Sequence, residues 1–223
     1  MHQRKSKKIL IYFFLLIIFG SINNVSLNKI DLYKVKNINI SGLASLDKKS
    51  LLRDLENLNL KSIFFIDNNI ISKIIDTNPL VENYEIFKKY PYTLDIKIEK
   101  TSFLARINQA GKIFIIGANG KLSKNNFSSY ELPYIFGNPK ISDFLNFKKI
   151  LDTSEISYDR IKSFYFFKSN RWDLELNNNI LIKLSKENVK DSLDDAIEFL
   201  NNSEFTNIKI IDARIKNQII LND

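Results

Sequence analysis

A serine three residues ahead of a lysine, Ser45-Leu-Asp-Lys48, is the spacing with which penicillin-binding enzymes set a nucleophilic hydroxyl beside an amine. Those enzymes also need a Lys-Thr-Gly strand, and this sequence contains none. The segment reads instead as a turn, followed by Asp47 capping a helix. Asp194, Asp195 and Glu198 are the second candidate, as carboxylates for metal binding or acid–base work. Adjacent helix positions point to different faces, and the apolar stripe of that segment lies elsewhere, so these acids read as a solvated helix face. His2 is the only histidine and there is no cysteine. Ser-His and Cys-His pairs are thereby excluded from the body of the chain, as are zinc sites of His/Cys type. Neither an enzyme nor a cofactor or metal site is expected.

Recognition chemistry is better represented. Arg171 and Arg214 flank predicted strands. Two guanidinium groups on neighbouring strands can clasp an acidic partner bidentately, or each can close a structural salt bridge. Trp172, the only tryptophan, is a core anchor or an interface residue. Gln218-Ile-Ile-Leu221 is short and apolar, and as the last strand added it is expected at a sheet edge, with unpaired backbone groups open to another chain. Lys216 and Asp223 are the residues that would blunt such an edge.

The first 28 residues bound the compartment. Arg4, Lys5, Lys7 and Lys8 precede an uncharged stretch, Ile9 to Asn28, whose centre Ile9–Phe19 is continuously apolar. Basic residues before an apolar run indicate a membrane-targeting segment with its N-terminus cytoplasmic. The run is short for a spanning helix, so the residues alone leave open an uncleaved anchor, a cleaved signal and a buried core helix. The formal net charge of +8 rests on 33 cations against 25 acids. Four of those cations sit in the tail, leaving 29 against 25, and the remainder are scattered, which argues against nucleic-acid binding. Hydrophobic content of 44% suffices for a core held together without disulfides.

The elements follow from periodicity. Val35–Ser41 alternates as a strand ended by Gly42. Leu51, Leu52, Leu55 and Leu58 form the stripe of one helix. Ile70, Ile71, Ile74 and Ile75 form that of a second, which begins near Asp67 and is stopped by Pro79. Strands follow over Val81–Lys88 and, after Tyr90-Pro91, through Leu94, Ile96 and Ile98. The result is β-α-α-β-β over residues 35–100. Beyond it, strands are predicted at Leu104–Asn108, Lys112–Ile116, Ile161–Lys168, Trp172–Leu176, Ile180–Leu184, Ile208–Ile211 and Gln218–Leu221. Helices are predicted from Ser142-Asp143 and over Glu187–Asn201, and Leu132 to Pro139 as an ordered loop.

This layout resembles the FtsQ/DivIB family of bacterial cell-division proteins along nearly the whole chain. The residues that carry the resemblance are Ile38-Asn-Ile-Ser-Gly42, Ile63-Phe-Phe-Ile-Asp67, Asn78-Pro-Leu-Val81 and the run from Lys89 to Glu99. They continue with Gly117-Ala-Asn-Gly120, Leu132 to Gly137, Arg171 to Leu176, Asn178 to Leu184 and Ile211-Asp-Ala-Arg214. The chain departs from the family at Leu80, where an aromatic is usual, at Ser102, where proline is, and at Ile215, where tyrosine is. The resemblance implies an α+β protein: a cytoplasmic tail (1–8), an uncleaved transmembrane anchor (9–28), a POTRA module (29–101), and a mainly antiparallel β domain with two or three helices (102–223). It implies a non-catalytic, single-pass inner-membrane scaffold at the division septum, with most of the chain outside the cytoplasm. The expected partners are FtsB and FtsL, captured by strand addition. The expected contact residues are Arg171, Trp172, Arg214, Ile215, Gln218, Ile219, Ile220 and Leu221, with the sheet edge of the POTRA module left for other subunits. Two other classes stay open: a POTRA-bearing chaperone or secretion component, and a membrane-tethered hydrolase using carboxylates alone.

Overall fold

A computed structural model describes residues 7–22, 34–58, 60, 62–124, 131–201 and 208–222. Arg4, Lys5, His2, Asp223 and the 23–28 end of the expected membrane segment lie outside the described residues. The described chain falls into two compact units, 1–74 with 85–97, and 75–84 with 98–223.

Helix α1, Lys7–Ile22, has 16 residues. Its apolar side chains from Ile9 to Phe19 are all exposed, so none of the described residues covers them. No helix among the described residues is long and apolar enough to cross a membrane.

The three-stranded sheet has the order β1-β3-β2, from β1 (Asn37–Ser41), β2 (Val81–Lys89) and β3 (Thr93–Lys100), with β1 parallel to β3. Alternation is expressed directly in β3, where Leu94, Ile96 and Ile98 are buried between more exposed neighbours. Helix α2, Ser45–Glu56, buries Leu51 and Leu55. Its N-cap is Ala44, which lends no side-chain bond, and Asp47 sits inside the first turn. The expected Asp47 cap is therefore displaced: there the carboxylate complements the helix dipole. Helix α3, Asn68–Thr77, begins where Asp67 Oδ1 accepts the Asn69 amide at 2.9 Å. It buries Ile71 and Ile75, while Ile70, expected in that stripe, is exposed.

The larger sheet has the order β12-β11-β10-β9-β8-β7-β4-β5-β6. Its strands are β4 (Phe103–Gln109), β5 (Lys112–Gly117), β6 (Leu122–Ser123), β7 (Tyr134–Phe136), β8 (Ile161–Phe166), β9 (Trp172–Leu176), β10 (Leu181–Leu184), β11 (Ile210–Ile215) and β12 (Gln218–Asn222). Most neighbours are antiparallel, but β4–β7, β7–β8 and β10–β11 are parallel. The last two follow crossovers through α4 (Ile141–Leu151) and α5 (Val189–Asn201). Both helices bury apolar side chains in the core that the strands line, with Phe144, Phe147, Leu151, Leu193, Ala196 and Ile197 buried.

Two segments correct the sequence reading. The stretch read as a loop, Leu132–Pro139, contains β7, which pairs Tyr134 with Arg106 on one side and with Ser163 on the other. Three residues are too few for alternation to show. Strand β11 also runs on through Asp212, Ala213 and Arg214, past the expected end at Ile211, because the two charges pair with each other on one face.

Several polar contacts tie segment 75–84 into the second unit. Asn119 donates to the carbonyls of Pro79 (3.1 Å) and Val81 (2.8 Å), and its Oδ1 accepts the Lys121 amide at 2.9 Å. Thr101 beside it donates to Glu82 at 2.6 Å and accepts the Asn119 amide at 3.3 Å.

Candidate partner-binding edge

Register sorts the side chains of the C-terminal sheet half. Ile211 lies opposite Leu221 and Asp212 opposite Ile220. Ile211 is fully buried, and Ile219 and Leu221 pack against the same core. Gln218 and Ile220 therefore face the other way, and Ile220 is 48% exposed. Among the described residues, strand β12 is hydrogen-bonded on one side only, to β11, and forms the end of the sheet. The β11–β12 turn uses Asn217 at φ 58°, a conformation asparagine tolerates. Beside the turn, Ile215 is 56% exposed and lies opposite Gln218, after a register shift in β11.

The two arginines share the outer face. Arg171 bonds Asp173 through Nε (3.0 Å) and Nη2 (3.2 Å), and its guanidinium lies 4.2 Å over the Phe167 ring. Arg214 bonds Asp212 through Nε (2.8 Å) and Nη2 (2.6 Å), and its backbone amide donates to the same carboxylate at 3.2 Å. Lys183 lies opposite Asp173 on one side and Asp212 on the other. A row of alternating charge, Arg171-Asp173-Lys183-Asp212-Arg214, thus crosses three strands toward the β12 edge. Each arginine already closes an ion pair on its own strand. A guanidinium has five N–H donors, however, and Arg214 keeps a side chain 46% exposed, so capacity for a second carboxylate remains.

The environments of the two acids differ. Hydrogen bonds from Arg214 hold the Asp212 carboxyl below the usual carboxylate range, and Asp212 in turn raises the Arg214 guanidinium. Burial pushes the Asp173 carboxyl up, against the opposing pull of Arg171. Farther along the same face, the Tyr165 hydroxyl donates to Glu175 at 2.7 Å and is pushed up to about 12, chiefly by burial.

Trp172 faces inward. It is 5% exposed and stacks flat on Phe147 (4.8 Å, 2°), with Phe164 edge-on at 6.4 Å. Of the two readings of Trp172, the core position is the one observed, and it offers no surface to a partner. The sequence reading missed Asp173, Asp212 and Phe167 as partners of the arginines. The Arg-x-Asp and Asp-x-Arg spacing was the available signal, because residues two apart on a strand share a face.

Ser45 opens α2 in the first unit, away in the chain from the acids of α5 in the second. Asp194, Asp195 and Glu198 are exposed on α5, where Asp194 and Glu198 line an open depression with Thr153 and Glu155. No group of three or more His, Cys, Asp or Glu among the described residues is placed to hold a metal ion.

A β-α-α-β-β module followed by a nine-stranded sheet with two crossover helices is the architecture of a POTRA module joined to a β domain. Two family models match: "POTRA domain, FtsQ-type" over residues 33–100 and "Cell division protein FtsQ/DivIB, C-terminal" over residues 104–214. The chain belongs to the FtsQ/DivIB family. Among its relatives, the cell division protein FtsQ of Rickettsia bellii is 26% identical over 192 residues, covering 83% of this chain and 71% of that protein. FtsQ of Rhizobium meliloti is 24% identical over 161 residues, covering 70% of this chain and 52% of that protein. The chain thus spans about half the length of some relatives it matches. A solved extracytoplasmic domain of DivIB from Geobacillus stearothermophilus aligns over 42% of this chain and 85% of that one, at 14% identity and a TM-score of 0.31.

Proposed function

We propose that this chain is a non-catalytic, membrane-tethered scaffold of the division machinery, which captures FtsB, and with it FtsL, at the septum. The N-terminus is cytoplasmic, α1 with the residues that follow is the uncleaved anchor, and the rest lies outside the inner membrane. The single observation that carries the binding claim is β12. It is the last strand of the sheet, with one side unpaired among the described residues, sealed to its own core by Ile219 and Leu221 and presenting Gln218 and Ile220 outward. An extended partner segment adds to such an edge through backbone bonds, while side chains along the edge set specificity. Arg214 receives a carboxylate of that segment, and Ile215 and Ile220 its apolar side chains, while Arg171, on the inner side of β10, stays paired with Asp173. Exposed apolar residues along α1 support the anchor, since a helix apolar on every side and uncovered by the described residues belongs in lipid. Strand β2, at one edge of the three-stranded sheet, is left for other subunits.

The test is a titration of the purified full chain, in detergent or nanodiscs, with the extracytoplasmic parts of the FtsB–FtsL pair. Binding with a Kd on the order of 10 μM or tighter is expected. Absence of binding at concentrations well above that sinks the partner claim.

A further inference from the structure

The first unit carries exposed aromatic rings that the β12 edge does not use. The register locates them. Strand β1 starts at Asn37 opposite Thr93, β2 ends at Lys89, and residues 90–92 turn between β2 and β3. The Tyr92 carbonyl accepts the amides of Lys36 (2.9 Å) and Asn37 (3.4 Å), so this turn and the entry to β1 are held together. A 3-10 turn at Ile63–Phe65 joins them through Phe64, whose ring stacks on Tyr90 at 4.8 Å. Ile63 and Ile66 on either side are buried, and Lys88 Nζ caps the Ile66 carbonyl at 3.0 Å. The turn is therefore pinned while its rings stand out: Phe65 is 89% exposed, Tyr90 59%, Phe64 50% and Tyr92 39%. Lys34, Lys36 and Lys89 are exposed at the same end, and Lys36 Nζ lies 5.3 Å from the Tyr92 ring centre. Of the nearby acids, Asp95 is paired with Lys89 and Asn39, and Asp67 starts α3.

Two features select the occupant. Phenylalanine at the tip, tyrosine behind it and lysine around them is the order of side chains that settles at a bilayer surface: rings at the headgroup boundary and cations on the phosphates. Strand β1, which starts at this end, is also the next element after α1 in the chain. Fourteen residues separate Ile22 from Asn37, which span at most about 50 Å when fully extended. We propose that this end of the POTRA module is a membrane foot. Phe65 and Phe64 dip into the interface of the bilayer that holds α1, with Tyr90 and Tyr92 at headgroup level and the lysines on anionic lipid.

The inference rests on the anchor reading above, and the experiment separates the two. The sequence has no cysteine, so single-cysteine variants label cleanly. Phe65→Cys, Phe13→Cys and Asn83→Cys of the full chain, each bearing a nitrobenzoxadiazole dye, are reconstituted in phosphatidylglycerol–phosphatidylethanolamine vesicles with or without nitroxide-labelled lipid. Position 65 is expected to show a blue-shifted emission that lipid-borne nitroxide quenches, position 13 stronger quenching, and Asn83, exposed on β2 toward the other end of the sheet, neither. Quenching at 13 without quenching at 65 overturns the foot and leaves the anchor standing. Quenching at 65 without 13 overturns the anchor and keeps the foot. Quenching at neither removes both.

Discussion

At the scale of residues, the charged row on the outer face behaves as coupled pairs. Asp212 is ionised more readily in the folded protein than in the unfolded chain, so its contribution to stability is fully present above the ordinary carboxylate range, near pH 4. That contribution is lost as the pH falls through the lowered folded value. Asp212→Asn is therefore expected to cost stability at neutral pH, by a margin that shrinks on acidification. Paired denaturant curves from neutral to acid pH measure it, and a pH-independent difference would count against the ion pair. Asp173, whose carboxyl is raised by burial, contributes with the opposite sign. Gly137 is a different kind of constraint. It sits at φ +94°, and a Cβ built there comes within 2.3 Å of the Phe166 carbonyl oxygen. Gly137→Ala is expected to destabilise the protein by about 1–3 kcal/mol through forced backbone strain, read from the shift in the thermal or urea midpoint.

At the scale of elements, β12 serves the core with one face and solvent with the other. Its removal with residues 217–223 takes Ile219 and Leu221 out of the core, so a truncation confounds binding with packing. A point change on the outer face separates them. Ile220→Lys places a cation opposite Asp212 and should leave stability within about 0.5 kcal/mol of the parent. If β12 is the docking strand, the same change weakens FtsB–FtsL binding about tenfold or more. Unchanged affinity would direct the search to another edge.

At the scale of the whole molecule, the proposed function has the tether and the binding edge act on the same equilibrium. Confining a domain to the membrane that also carries its partners raises their effective concentration without any new contact. The full chain is expected to stay with the membrane fraction through high salt and alkaline carbonate, whereas a chain lacking residues 1–22 is released. Release of the full chain by carbonate would rule out an integral anchor.

What was legible in the sequence was whatever depends on local pattern. The helix stripe of Leu51 and Leu55, the alternation of Leu94, Ile96 and Ile98, the hairpin around Asn179 and the order of elements all follow from side-chain period and turn chemistry. The absence of histidine and cysteine from the body of the chain removed most catalytic readings before any fold was known. The tertiary structure decided what depends on partners distant in sequence. Tyr134–Phe136 is a central strand only because β4 and β8 flank it. Trp172 is core because Phe147 covers it. The two arginines share one face because two intervening pairings, β9 with β10 and β10 with β11, set their register. The membrane foot belongs to the same class: Phe64 and Tyr90 are 26 residues apart, and only the closed sheet brings their rings together.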